Sequence, residues 1–295
     1  MKRGLITWDK SELPPDVFER RVNRVRRILS ERDLPALIVY SDLWRSNQAR
    51  FFSNYMPYFN RALLIIPREA PPTLLCGLSP RVYGWIRSVT IIEDVRPAGN
   101  FAKPLFEIAG ERQWTRIGVL DLAQLPYDIY QALRVGPLGL LNVDSGAVFS
   151  PADDDVELAM RRKAAALAQQ ILEEEIPRGA GLVDHQFVGI LERRFRRAGA
   201  EDLVILLTNG RTVPAPPSGA VLEDHFSVSV AVEYRGHWVR LSRPHGQAKA
   251  PGAALQCIEH LDGAYPYEWG SGRIMAQHFE YNHNGKRLFY GDTIL

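Results

Sequence analysis

Residues 228–244 read VSVAVEYRGHWVRLSRP. Two alternating runs flank a turn around Tyr234, Arg235 and Gly236. Alternation sends neighbouring side chains to opposite faces of a strand. A two-residue loop centred on Tyr234-Arg235 or on Arg235-Gly236 gives the same sorting. One face carries Val228, Val230, Val232, Val239 and Leu241, with His237 near the turn. The other carries Ser229, Ala231, Trp238, Arg240 and Ser242. The first face belongs beneath a helix layer. The second is neither a core nor an ordinary charged surface, and it holds an arginine in mid-strand.

The segments around this hairpin set its context. Upstream, the acidic run in DDDVELAMRRKAAALAQQILEEEI (153–176) opens a helix, because carboxylates in a first turn suit the helix dipole. A second helix covers 183–198, with Phe187, Ile190, Leu191 and Phe195 on one face. EDLVILLTNG (201–210) reads as a strand and RTVPAPPSG (211–219) as a Pro-rich loop. Downstream, GRIMAQHFEYN (272–282) and KRLFYGDTIL (286–295) form a strand pair joined by the turn signal Asn284-Gly285. Two helices over antiparallel strands make an α+β layer arrangement. If the sheet curves, its serine–tryptophan–arginine face lines a concavity, the ordinary setting of a ligand site.

The first half reads differently. A helix spans about 14–32 and contains the basic stretch ERRVNRVRRILSER (19–32), whose Val22, Val25, Ile28 and Leu29 fall at helical spacing. PALIVY (35–40), RALLIIP (61–67), PTLLCG (72–77) and TRIGVL (115–120) are short apolar runs typical of buried strands. LPYDIYQALR (125–134) reads as a helix. Strands interleaved with helices imply an α/β domain. NVDSGAVFSPADDD (142–155) combines Gly, Ser, Pro and acidic residues, which places a domain boundary there and expected domains at 1–148 and 149–295.

Composition excludes several classes. Of 295 residues, 46% are hydrophobic, enough for a substantial core. Lys and Arg number 36 against 34 Asp and Glu, so the net charge of +2 gives no nucleic-acid footprint. Cys76 and Cys257 lack a CxxC partner. No apolar run approaches the roughly 18 residues that a bilayer demands, and the N-terminus has no apolar signal core. The expectation is a cytoplasmic protein with no membrane partner. No nucleophile elbow, phosphate-binding loop or dinucleotide fingerprint is present.

ERRVNRVRRILSERDLPALIVYSDLWRSNQARFFSNY, with Asn47 at its turn, together with DDDVELAMRRKAAALA, GLVDHQFVGILERRFRRAGAED and EYRGHWVRLSRP, resembles the creatinase / prolidase / aminopeptidase P family. The resemblance implies an α/β N-terminal domain of the creatinase type and a C-terminal pita-bread domain, shortened here, with helices over a curved, mainly antiparallel sheet. EYRGHWVRLSRP is similar to that family's YxGYxxDxTRT signature. Hydrolytic members bind two metal ions with two Asp, one His and two Glu, because two nearby dications need several anionic oxygens. Matching the signature puts Arg240 at the second Asp position, and Ser229, eleven positions earlier, at the first. A guanidinium stays charged at any ordinary pH and repels a dication. No Gly-His-Gly occurs, and HGQAKAPGAALQCIEHLDG (245–263) reads as a remnant helix. Glu280 stands at one family Glu position, whereas YGDTIL puts Gly291 at the other.

The reading is therefore a degenerate member with no metal and no cofactor, which binds a small or anionic molecule or a partner protein. Its binding residues are Ser229, Trp238, Arg240 and Glu280; the catalytic residues are unassigned. The alternative is a metal-independent hydrolase or lyase of the creatinase type acting on a carboxylate-bearing substrate, and a metal-dependent peptidase ranks last. The resemblance implies a homodimer, or a heterodimer with a related protein. Arg240 has a bland alternative, an internal ion pair to Glu280 or Asp292, since buried arginines are usually paired. Arg243 reads as a scaffold ion pair and His237 as a buried hairpin residue. His278, Glu280 and His283 follow no metal-binding pattern such as HExxH.

Overall fold

Continuous apolar runs and alternating runs build two different sheets. The computed structural model describes residues 6–149, 154–211, 213–246, 255–260, 275–283 and 286–294. The chain divides into two compact units, Gly4–Ser150 and Pro151–Leu295. Among the described residues no helix is long and apolar enough to cross a membrane.

In the unit Gly4–Ser150 the elements run α1 (Pro15–Glu31), β1 (Ala36–Ser41), α2 (Asn47–Ser53), β2 (Ala62–Pro67), β3 (Thr73–Cys76), α3 (Tyr83–Val89), β4 (Asp94–Pro97), α4 (Ala102–Glu111), β5 (Arg116–Leu120), α5 (Tyr127–Arg134), β6 (Gly139–Val143) and α6 (Ser145–Val148). The sheet order is β4-β3-β2-β1-β5-β6. Pairing is parallel for β1/β5, β3/β4 and β5/β6 and antiparallel for β1/β2 and β2/β3. Leu37 and Val39 join a core with Val22, Val25 and Leu29 of α1, Phe52 of α2 and Ile86 of α3. Their neighbours Ala36 and Ile38 point the other way, into a core with Leu105 and Ile108 of α4 and Ile129 and Leu133 of α5. Burial on both faces is why PALIVY shows no alternation.

The sequence reading misses β4 and β6. They are the two edge strands, DVRP and GLLNV, and an edge strand is not required to be apolar on both faces. Asn47 opens α2 rather than sitting in a turn. The basic helix α1 is amphipathic as expected, yet Arg21 is buried on it: its guanidinium lies 3.9 Å over the Phe51 ring and donates to the Phe51 carbonyl at 2.9 Å.

The unit Pro151–Leu295 holds α7 (Asp155–Glu175), α8 (Asp184–Arg197), β7 (Asp202–Thr208), β8 (Ser227–Tyr234), β9 (His237–Pro244), β10 (Leu255–His260), β11 (Met275–His283) and β12 (Lys286–Ile294). The Asp154 carboxylate caps α7 by accepting the Glu157 N–H, so the acidic run starts the helix as read. The sheet order is β10-β11-β12-β9-β8-β7, antiparallel throughout. The expected remnant helix at 245–263 is a correction: Leu255–His260 is a strand, paired with Met275–Glu280. Ladder bonds to a neighbouring strand decided its conformation, and a short segment carries no trace of such a partner.

Candidate functional site

The hairpin turn is Arg235-Gly236, the second of the two alternatives, with φ of +49° and +82°. Both central residues lie in the left-handed region, as a type I′ turn requires. Register then fixes the faces. Val230 pairs with Leu241, Val232 with Val239 and Tyr234 with His237 on one side; Ser229 pairs with Ser242, Ala231 with Arg240 and Glu233 with Trp238 on the other. The valine side lies under the helices: Phe226 meets the Phe187 ring of α8 at 5.7 Å, and Lys163 of α7 lies over the Tyr234 ring at 5.1 Å. His237 is buried on that side, as expected.

The opposite face is a closed layer near the turn. Trp238 is 1% exposed and is among the largest fully buried side chains; Glu233 is 0% exposed. Asp202 of β7, paired with Glu233, is buried as well. Away from the turn the face loosens, and Ser229 and Arg240 are half-buried. The Ser229 and Ser242 hydroxyls share a hydrogen bond at 2.7 Å. Strand β12 meets β9 at the single pair Gly291–Ser242, which puts Gly291 beside these hydroxyls. Beyond it the Thr293 hydroxyl replaces the ladder, accepting the Arg240 N–H at 2.7 Å and donating to the Arg240 carbonyl at 3.0 Å.

The other expected site residues fall into place around this joint. Glu280 of β11 pairs with Phe289, and its carboxylate accepts from Arg287 Nε at 2.6 Å. Asp292 pairs with Arg243 at 2.5 Å, while Arg243 also donates to the Gly291 carbonyl and lies 4.5 Å over the Tyr290 ring. Arg243 is thus the scaffold ion pair it was read to be. The side chains of His278 and His283 lie outside the described residues.

Glu233 follows from the same alternation that sorted its neighbours, yet the reading of the face passed over it. Thr293, Glu157 and Arg161 carry no local signal. Arg161 of α7 donates through Nε and Nη2 to Glu157 Oε1 at 3.1 and 2.8 Å and through Nη1 to the Trp238 carbonyl at 2.5 Å. That buried bridge ties the helix layer to the tryptophan-bearing strand.

Set against a two-metal centre, the donor set does not fit. The positions offer a hydroxyl at Ser229, a guanidinium at Arg240, no side chain at Gly291, and a carboxylate at Glu280 already matched by Arg287. One anionic donor beside a fixed cation leaves two dications uncompensated. Among the described residues, no group of three or more His, Cys, Asp or Glu side chains converges to hold a metal ion.

Comparison with solved structures now bears on the architecture. An X-Pro aminopeptidase from Thermotoga maritima MSB8 superposes with a TM-score of 0.71 at 12% identity, over 92% of this chain and 93% of that one. The chain has the pita-bread fold of the Xaa-Pro aminopeptidase and prolidase structures. An Xaa-Pro dipeptidase from Bacillus anthracis (TM-score 0.70, 13% identity, 94% of each chain) and a prolidase from Pyrococcus furiosus (0.68, 13%, 92% of this chain and 95% of that one) give the same result. No protein-family model matches the chain, and no curated protein matches it in sequence. The pita-bread fold agrees with a two-helix layer over an antiparallel sheet whose polar face turns away from the helices.

Proposed function

We propose that this pita-bread protein works without metal and binds a small carboxylate-bearing or otherwise anionic ligand on the Ser229–Arg240 face. The observation that carries the reading is the half-buried Arg240 on the same face as the paired Ser229 and Ser242 hydroxyls and beside side-chain-free Gly291. A guanidinium with hydroxyl neighbours is an anion receptor, since charge-assisted hydrogen bonds to a carboxylate are the strong ones. Trp238 forms the floor of this layer, and the Glu280–Arg287 pair belongs to its β11–β12 side.

Two measurements test it. Metal analysis of the purified chain should find no tightly held Mn, Zn or Co, and two equivalents would sink the proposal. Calorimetric titration with small carboxylates should detect binding that Arg240→Ala weakens about ten-fold or more, the size of one lost charge-assisted contact. Binding unaffected by that substitution would place the ligand elsewhere. Turnover of amidino or N-acyl amino acids, abolished by Arg240→Ala, would move the reading to a metal-independent hydrolase or lyase.

A further inference from the structure

The unit Gly4–Ser150 carries a cavity of about 360 Å³ that the reading above does not use. Gly77 follows β3, Ala98 to Phe101 follow β4, and Asn60 and Arg61 precede β2, so the cavity sits at the carboxyl ends of two parallel strands. In open α/β sheets that edge is where ligands bind. The wall contributed by α4 and α5 is apolar, with Ala102, Ile129 and Ala132 beside Phe101. At the mouth, Arg61 Nη1 donates to Asp128 Oδ2 at 2.5 Å.

That ion pair is poorly explained as a stabilising device. Its side chains are 47% and 63% exposed, and exposed pairs contribute little. It is nonetheless held in place. Asn60 Nδ2 donates to the Gly77 carbonyl at 2.7 Å while its Oδ1 accepts the Arg61 N–H at 2.8 Å, which fixes the Arg61 backbone. Asp128 stands in the first turn of α5. The pair engages one guanidinium nitrogen and one carboxylate oxygen, leaving the rest of the guanidinium to a ligand. A hollow with one apolar wall and with one cation and one anion side by side at its mouth mirrors a free α-amino acid, whose carboxylate and ammonium share a carbon with an apolar side chain. The volume is near the small end of ligand pockets, which suits a molecule of that size.

We propose that this cavity binds a free apolar α-amino acid, with its carboxylate on Arg61, its ammonium on Asp128 and its side chain against Phe101 and Ile129. The site is independent of the Arg240 face. Calorimetry on the full chain with L-leucine, L-valine and L-phenylalanine should show one binding site for at least one of them. L-leucinamide and N-acetyl-L-leucine each lack one charge and should bind about ten-fold more weakly or worse than L-leucine, as should L-leucine to Arg61→Gln and to Asp128→Asn. Gly99 lines the cavity and a Cβ there meets no atom within 4 Å, so Gly99→Leu can be introduced without a backbone clash at Cβ. It should abolish binding at an unchanged melting temperature, while Arg240→Ala should leave binding as it is. Absence of binding by all three amino acids at millimolar concentration, equal affinity for leucine and leucinamide, or an unchanged Kd in Gly99→Leu would overturn the proposal.

Discussion

The two faces of the β8–β9 hairpin come from one stretch of chain and are stabilised differently. The valine side is an apolar layer that buries carbon beneath α7 and α8, where transfer from water supplies the driving force. The opposite side buries Trp238, Glu233 and Ser242 and leaves Ser229 and Arg240 half-buried. Its order depends on specific hydrogen bonds, because buried polar groups without partners are costly. The lesson is that two faces of one hairpin need not have equal tolerance: one accepts any apolar residue of fitting volume, the other requires particular donors and acceptors.

Substitutions can break or sharpen this contrast. The largest loss is expected from Trp238→Ala, about 4 kcal/mol in urea unfolding, against about 2 kcal/mol for Val230→Ala on the valine side. If the tryptophan variant loses no more than the valine variant, the polar face is not a packed layer. Glu157→Ala strands the Arg161 guanidinium under the Trp238 carbonyl and should cost about 3 kcal/mol, whereas Glu157→Ala with Arg161→Met should recover part of that loss. Additive effects in that pair would show that the Glu157 and Arg161 side chains are not energetically coupled.

A smaller effect concerns Asp184, on the helix layer that covers the valine side. Burial by itself pushes its carboxyl up, but N–H donors from Ser218 and Gly219 and the Ser218 hydroxyl outweigh that and hold it below the ordinary carboxylate range. A lowered folded-state value means the contribution is present above the unfolded pKa of about 3.9 and is lost as pH falls through the folded value. Unfolding free energies should therefore converge between wild type and Asp184→Asn as pH drops below about 4, and a constant difference across pH would refute the carboxylate's role. The smallest effect is expected for Ser229→Ala, about 1 kcal/mol, because it leaves the Ser242 hydroxyl without its partner. The double variant with Ser242→Ala should lose less than the sum of the two singles, measured by the same unfolding titration.

Much of this was legible in the chain. The alternation in VSVAVEYRGHWVRLSRP sorted both faces, the Arg-Gly pair was one of two offered turns, and the acidic run at 153–155 announced the start of α7. These signals are local, so a short window contains them. The edge strands β4 and β6 escaped because nothing requires an edge strand to be apolar on both faces, and β10 was misread because its partner β11 decides its conformation. The fold sets Arg287 against Glu280 and Arg243 against Asp292. By itself the sequence determined which residues share a face of the hairpin. Only the tertiary structure decided which charges meet, because ion pairs such as Arg243–Asp292 and contacts such as Arg161–Trp238 join residues on separate elements and leave no periodic trace.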